Sequence, residues 1–259
     1  MVVGMELLKA HFKGHEEHFV VIGGAACDEW FTHEGLPFRA TKDVDMVVLI
    51  EANHIRFVEH FWAFINAGQY TNRQCSTGNK VYYRFTEPQN TGYPVMLELF
   101  ARNILDLELE EGQHIVPIPV DEDISSLSGI LLDDAYYKIV LAGRSVIGDL
   151  SVVRPDTLIL LKAKAWLDLN ERRNNGASVK GDDIKKHRND VFRLAHILAV
   201  GESVVIPKCI LGDLLKFLNA FPTDDKSWDA IISSVKNTVS QPMDPSDILD
   251  LLRNYYLSE

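Results

Sequence analysis

Between Arg39 and Ile50 the chain reads Arg-Ala-Thr-Lys-Asp-Val-Asp and then runs into apolar residues, and this stretch restricts the fold more than any other. Along a β-strand successive side chains alternate between faces, so Asp43 and Asp45 point the same way. The spacing therefore predicts a buried strand from Val44 to Ile50 with two carboxylates projecting together from its mouth. Like charges held that close repel unless a cation stands between them. Mg²⁺ is the usual partner, because it takes one or two carboxylates together with substrate phosphate oxygens. Upstream, Phe19 to Ile22 predicts a short strand, followed at once by Gly23-Gly24 and a helix from Ala25 to Phe31. Glycines at a strand-to-helix turn let the backbone approach a phosphate, and the helix N-terminus favours anions. Taken singly, an Asp-x-Asp pair is more often a solvated strand end and a Gly-Gly a tight turn. Their order along one short segment is the stronger signal.

The rest of the chain divides by pattern. Met5 to Phe12 predicts a first helix. Val81 to Phe85 and Val95 to Phe100 predict strands, being rich in β-branched and aromatic residues. Asn53 to Ile65 predicts a helix, with Ile55, Val58, Phe61, Trp62 and Ile65 at three-four spacing. Ile115 to Val120 carries Pro117 and Pro119, which confine it to an edge strand or extended segment. Asp133 or Asp134 caps a helix running to Ala142, and Ser145 to Val153 reads as extended. From Pro155, well placed at a helix start, helical patterns dominate. The expectation is an α/β domain over residues 1–153 and a helical domain over 154–259.

Strand, Gly-Gly, helix and Asp-x-Asp strand, in that order, resemble the DNA polymerase beta-like nucleotidyltransferase superfamily. Arg39 and Thr41 preceding the aspartates resemble the first motif of its AbiEii-type branch, the toxins of abortive-infection systems. That motif has Gly-Ser where this chain has Gly23-Gly24, and its gap to the arginine is shorter than the one from Gly24 to Arg39. The stretches 127–147, 158–169 and 183–194 are also similar to members of the branch. The resemblance implies a nucleotidyltransferase-type mixed sheet flanked by helices, with a helical domain after it and the active site in the cleft between the two. It implies a third acid on a neighbouring strand. Glu98 is the only acid in the apolar strand Val95 to Phe100, where a carboxylate is costly without a partner; Asp106 is the alternative. It also implies two Mg²⁺ ions on Asp43, Asp45 and Glu98, backbone contacts from Gly23 and Gly24 to a nucleoside triphosphate, charge neutralisation by Arg39 and Lys162, and a loop oriented by Thr41.

In the helical half, Asp156 to Asn170 is apolar almost all round. Lys162 has Leu158, Ile159, Ala165, Trp166 and Leu169 as helical neighbours, so it must snorkel out or meet an anion. Lys164 instead has Asp168 four residues on and pairs with it. Lys162 with Ala165 also matches a Lys-x-x-Ala motif of the family; Leu169 stands where an arginine would follow, with Arg172 or Arg173 nearby. Asp183 to Ala199 predicts a helix whose apolar stripe includes His187. Lys186, Asp190 and Arg193 fall on the adjacent face as an ion-pair ladder. By resemblance Lys186 and Asp190 are the first and last charged positions of a Lys-Asp-x-x-Asp motif whose middle acid is His187 here. The polar segment from Asn170 to Asp183 reads as a loop.

Composition bounds the partners. The net charge of −11 excludes a bulk electrostatic grip on nucleic acid and leaves only a local basic patch. Lys185, Lys186, Arg188 and Arg193 form the densest positive run of the helical half and are the candidate RNA surface. Cys27, Cys75 and Cys209 lack paired or metal-ligand spacing and suit a reducing cytosol. No apolar run reaches transmembrane length and no leader pattern opens the sequence, so a soluble cytoplasmic protein is expected. The resulting expectation is a Mg²⁺-dependent nucleotidyltransferase. By resemblance its acceptor would be a tRNA end and its partner an antitoxin; a protein or small-molecule acceptor is the variant the acidic balance favours. The alternative is a catalytically silent nucleotide-binding or interaction module on the same scaffold, to which Gly24 and His187 point.

Overall fold

The structure, a computed structural model, describes residues 2–49, 55–75, 81–101, 116–117, 130–131 and 133–258. Ile50, Asn53, Asp106, Ile115 and residues 118–120, all used in the sequence expectations, lie outside the described residues. The contacts divide the chain into two compact units. One is built from Met1–Trp30, Arg39–Ile124 and Arg144–Val153, the other from Phe31–Phe38, Ser125–Gly143 and Arg154–Glu259.

The first unit holds a mixed sheet. Its elements in chain order are α1 (Met5–Phe12), β1 (Phe19–Ile22), α2 (Gly23–His33, whose last turn belongs to the second unit), β2 (Asp43–Val48), α3 (Ile55–Gly68), β3 (Tyr70–Cys75), β4 (Val81–Pro88), β5 (Met96–Ala101), β6 (Val116–Pro117), β7 (Arg144–Ile147) and β8 (Leu150–Val153). Among the described residues the sheet order is β6-β3-β4-β5-β2-β1-β8-β7. β1 runs antiparallel to β2 and parallel to β8, while β2 is parallel to β5. β1 and β8 are buried along their whole length, as central strands covered on both faces must be.

Aromatic residues tie the helices to this sheet. The Phe12 ring of α1 meets Phe19 of β1 and Phe57, Phe61 and Phe64 of α3, and Phe61 reaches Phe85 of β4. Rings of this size dominate the burial energy of a core. Phe61, Trp62 and Ile65 of the expected stripe are buried, while Phe57 and Phe64, which also meet Phe12, lie outside that stripe. β3 was not foreseen: its sequence Tyr-Thr-Asn-Arg-Gln-Cys lacks an apolar alternation, and it is a strand because β4 offers it an antiparallel edge.

The second unit is mainly helical. It contains α4 (Asp134–Ala142), α5 (Pro155–Asn174), α6 (Gly181–Leu194), α7 (Lys208–Asn219), α8 (Trp228–Lys236) and α9 (Pro245–Tyr255), with a parallel two-stranded sheet of β9 (Val204–Ile206) and β10 (Tyr256–Ser258). Asp133 caps α4, accepting from the backbone N–H groups of Ala135 and Tyr136. Pro155 opens α5. That helix runs one turn beyond the expected Asn170, which shortens the polar loop. α6 starts at Gly181 and stops at Leu194, where a 3₁₀ turn replaces the expected continuation to Ala199. Trp166, Phe192, Phe217, Phe221 and Trp228 pack ring against ring at its core. Among the described residues no helix is long and apolar enough to cross a membrane.

Candidate active site

Strand register gathers the acidic residues of the first unit. In β2, half-buried Asp43 and Asp45 alternate with buried Val44 and Met46, as the period-two pattern requires. Asp45 lies beside Glu98 of the parallel strand β5, and Asp43 beside Met96. Register neighbours on parallel strands point to the same face, with backbones about 4.8 Å apart. Asp43, Asp45 and Glu98 therefore share one face of the sheet. On the other side Asp45 pairs with Ile22, the last residue of β1, so the Gly23-Gly24 turn emerges at the same sheet end as the aspartates.

That turn is built by two glycines of different kinds. Gly23 has φ of +71°, a left-handed conformation that only glycine adopts without cost. Gly24 has an ordinary backbone, but its missing side chain leaves room for Thr41 and Arg39: a Cβ placed there would lie 2.6 Å from Thr41 Oγ1 and 3.6 Å from Arg39 Nη2. The turn feeds α2 directly. The first N–H groups of a helix have no intrahelical acceptor and carry the positive end of its dipole. A hydroxyl and a guanidinium thus converge on the start of α2, at the sheet end that carries the aspartates.

Glu98 is placed differently from the aspartates. It is 3 % exposed, and its Oε1 accepts from Arg84 Nε at 2.8 Å. Arg84 sits opposite it on the antiparallel strand β4. The pair answers the cost of burying a carboxylate in a sheet. Sequence reasoning missed Arg84, although the signal was of the kind that revealed Glu98: it is the one charged residue of the expected strand Val81 to Phe85, flanked there by Tyr83 and Phe85. Among the described residues no three His, Cys, Asp or Glu side chains are arranged to hold a metal ion.

The remaining candidates belong to the second unit. Lys162 meets an anion, as its apolar neighbours demanded: its Nζ lies 3.4 Å from Asp190 Oδ2, with the side chains 2 % and 0 % exposed. Asp190 also accepts from Arg193 Nη1 at 2.9 Å, and Arg193 in turn donates to the Ser234 carbonyl and hydroxyl and lies over the Phe38 ring. Of the ladder expected along α6, the Asp190–Arg193 pair forms, though buried and not at the surface. Lys186 pairs with Asp183 instead, and Asp190 is turned inward to Lys162 of α5. Lys164 pairs with Asp168 at 2.8 Å, as expected. His187 is buried on the apolar stripe of its helix.

The basic run of α6 is neutralised in place. Lys185 pairs with Asp182, Lys186 with Asp183 and Arg193 with Asp190. Arg188 is pulled below the ordinary arginine value by burial, with the Asp225 charge opposing that shift.

No protein-family model matches the chain, and no curated protein matches it. Among solved structures, the chain is similar to the crystal structure of an antigenic nucleotidyltransferase-like protein from Paracoccidioides brasiliensis. The identity is 16%, 90% of each chain is covered, and the TM-score is 0.42.

Proposed function

We propose that this chain moves a nucleoside monophosphate from a nucleoside triphosphate to an acceptor hydroxyl and releases pyrophosphate. The observation that carries the reading is the convergence on one end of the first unit's sheet: Asp43 and Asp45 on one face, beside a glycine turn against which Thr41 and Arg39 are packed. Two half-buried carboxylates suit a single divalent cation arriving on the triphosphate, since Mg²⁺ keeps most of its ligands as water and phosphate oxygens. A second ion at Glu98 would compete with the Arg84 guanidinium, so the reaction is not routed through it. When bound, the ion would draw electron density from the α-phosphate and screen the two aspartates from each other.

The protein's own groups do the positioning. The amides at the start of α2 and the Arg39 guanidinium hold the phosphates against the sheet end. Asp43 and Asp45 would hold the divalent cation that accompanies the triphosphate, at the sheet end where the α-phosphorus meets the acceptor. The acceptor oxygen then bonds to the α-phosphorus as the bond from that phosphorus to pyrophosphate breaks, and the acceptor proton leaves to a carboxylate oxygen of the same face. Positioning and charge account for most of the catalysis in phosphoryl chemistry of this kind. Lys162, Asp190 and Lys186 serve the packing and surface of the second unit in this reading.

The acceptor is a protein or small-molecule hydroxyl. The net charge of −11 and the acid partners of the α6 cations support this over a tRNA end, the acceptor of a toxin paired with an antitoxin. One observation favours the silent-module alternative: Glu98, the candidate third acid, is held by Arg84. Parallel incubations with α- and γ-labelled nucleoside triphosphates, Mg²⁺ and separated RNA, protein and metabolite pools distinguish the two. Label from the α-position alone should enter one pool, with pyrophosphate released. Triphosphate-dependent thermal stabilisation without any label transfer would establish the silent module instead.

A further inference from the structure

The acidic face of the first unit's sheet carries a cation of its own. Register places Asp45 beside Glu98 and Glu98 beside Arg84, so the three side chains form one row across β2, β5 and β4 on a single face. Arg84 Nε donates to Glu98 Oε1 at 2.8 Å, and the two side chains are 15 % and 3 % exposed. Breaking a buried pair of this kind is costly, because either partner alone is left as an uncompensated charge. A guanidinium also stays charged at any pH at which a protein works, so no change of protonation vacates its place.

This pair bears on how many divalent ions the face can take. Neighbouring strands lie about 4.8 Å apart. An ion bridging Asp45 and Glu98 would need an oxygen of each within about 2.1 Å, the ligand distance of Mg²⁺. Glu98 would have to turn from Arg84 to supply one, and the ion would stand one strand away from the guanidinium and repel it. The three carboxylates therefore do not fit two divalent ions. One such ion at the aspartates and the guanidinium at Glu98 balance the charge of the face without a second.

On the nucleotidyl-transfer reading above, we propose that Arg84 sets the metal count of the site: it holds Glu98 away from the cation at Asp43 and Asp45, excludes a second divalent ion and itself supplies the second positive charge of the acidic face. Arg84 is thus a positioning residue that acts through Glu98. Removing its guanidinium turns Glu98 into a cation ligand and admits another ion.

Mn²⁺ takes the same carboxylate and water oxygens as Mg²⁺ and can be counted by its paramagnetic signal. Protein-bound Mn²⁺ is measured with a triphosphate analogue whose α,β-bridging oxygen is replaced by methylene, and the thermal midpoint of each variant is read alongside. The parent should bind one ion per chain. Arg84→Met should bind two, and Mn²⁺ should raise its midpoint further than the parent's, because the second ion compensates the stranded carboxylate. Arg84→Met combined with Glu98→Gln should return to one. Glu98→Gln alone should also bind one, since Glu98 does not hold the ion while Arg84 is present. Two ions on the parent, loss of the ion in folded Glu98→Gln, or a single ion on folded Arg84→Met overturns the assignment to Arg84 and leaves the transfer reading in place. A parent that binds no Mn²⁺ with the analogue and transfers no label overturns the transfer reading, and the role of Arg84 with it.

Discussion

Lys162 and Lys164 stand two residues apart on α5 and have opposite fates. The sequence distinguishes them correctly, because helical neighbours at three and four residues are set by α-helix geometry alone. Lys162 is ringed by apolar side chains and finds Asp190; Lys164 finds Asp168 one turn on. What the sequence does not reveal is where Asp190 turns. Local spacing offered it Lys186, but Lys186 takes Asp183, and Asp190 is committed across to a different helix. Partners on other elements leave no periodic trace. The two pairs differ in worth accordingly. Lys162→Met leaves Asp190 buried with only part of its compensation and should cost about 3 kcal/mol in a urea titration. Lys164→Ala removes a half-exposed pair and should cost about 0.5 kcal/mol. Equal losses at the two sites would contradict this placement.

At the scale of elements, register does what composition cannot. β2 is legible because two acids alternate with apolar residues at its start and an apolar run follows, and Glu98 because it is the lone acid in an apolar strand. β3 is not, since a polar strand is specified by the edge it pairs with. Register on β4 is also what sets Arg84 against Glu98. Arg84→Met would strand a buried carboxylate and should destabilise by about 3 kcal/mol, whereas Arg84→Met with Glu98→Leu should regain most of that, because a matched apolar pair carries no desolvation cost. Urea titration of both variants checks the pair, and a double variant as unstable as the single would show that Arg84 acts through something other than Glu98.

The contact between α1 and α3 carries a different device. His11 and His60 stack at 4.0 Å and donate to each other's backbone carbonyl, and His15 stacks on His60 at 4.5 Å. Burial comes first in lowering the pKa of both His11 and His15, followed by the charges of neighbouring histidines, with Glu16 and Glu17 opposing at His15. A histidine kept neutral in the folded state binds fewer protons than the unfolded chain. Stability therefore falls as pH drops from about 6.5 toward the lowered folded values. The thermal midpoint should decline over that window in the parent. It should decline less in His60→Phe, which removes the shared neighbour of both rings. A parent midpoint flat from pH 7 to 5 would contradict the packing of these rings.

For the molecule as a whole, the division into a sheet-bearing unit and a mainly helical one follows from the change of pattern near Pro155, which any reader of the periodicity can find. The contributions of 31–38 and 125–143 to the helical unit do not, because contact between distant segments is not written in local spacing. Nor is the β9–β10 pair, three residues a side, whose Tyr256 hydroxyl donates to the Asp156 carbonyl at 2.7 Å. The candidate site is legible to a different degree. Its acids and glycines stand in one short segment and could be named; the Thr41 contact at Gly24 and the Arg84–Glu98 pair needed the fold. The central claim is that Asp43 and Asp45 bring about nucleotidyl transfer at the end of β2. The most direct measurement follows pyrophosphate release and α-label transfer with Mg²⁺ in the parent, Asp43→Asn and Asp45→Asn, with thermal unfolding of each recorded alongside. The account predicts release by the parent, at least about a hundredfold less in either variant, and unfolding midpoints within a few degrees of one another, since both residues are half-buried on a sheet face and outside the core. Near-parent release by either folded variant would contradict it.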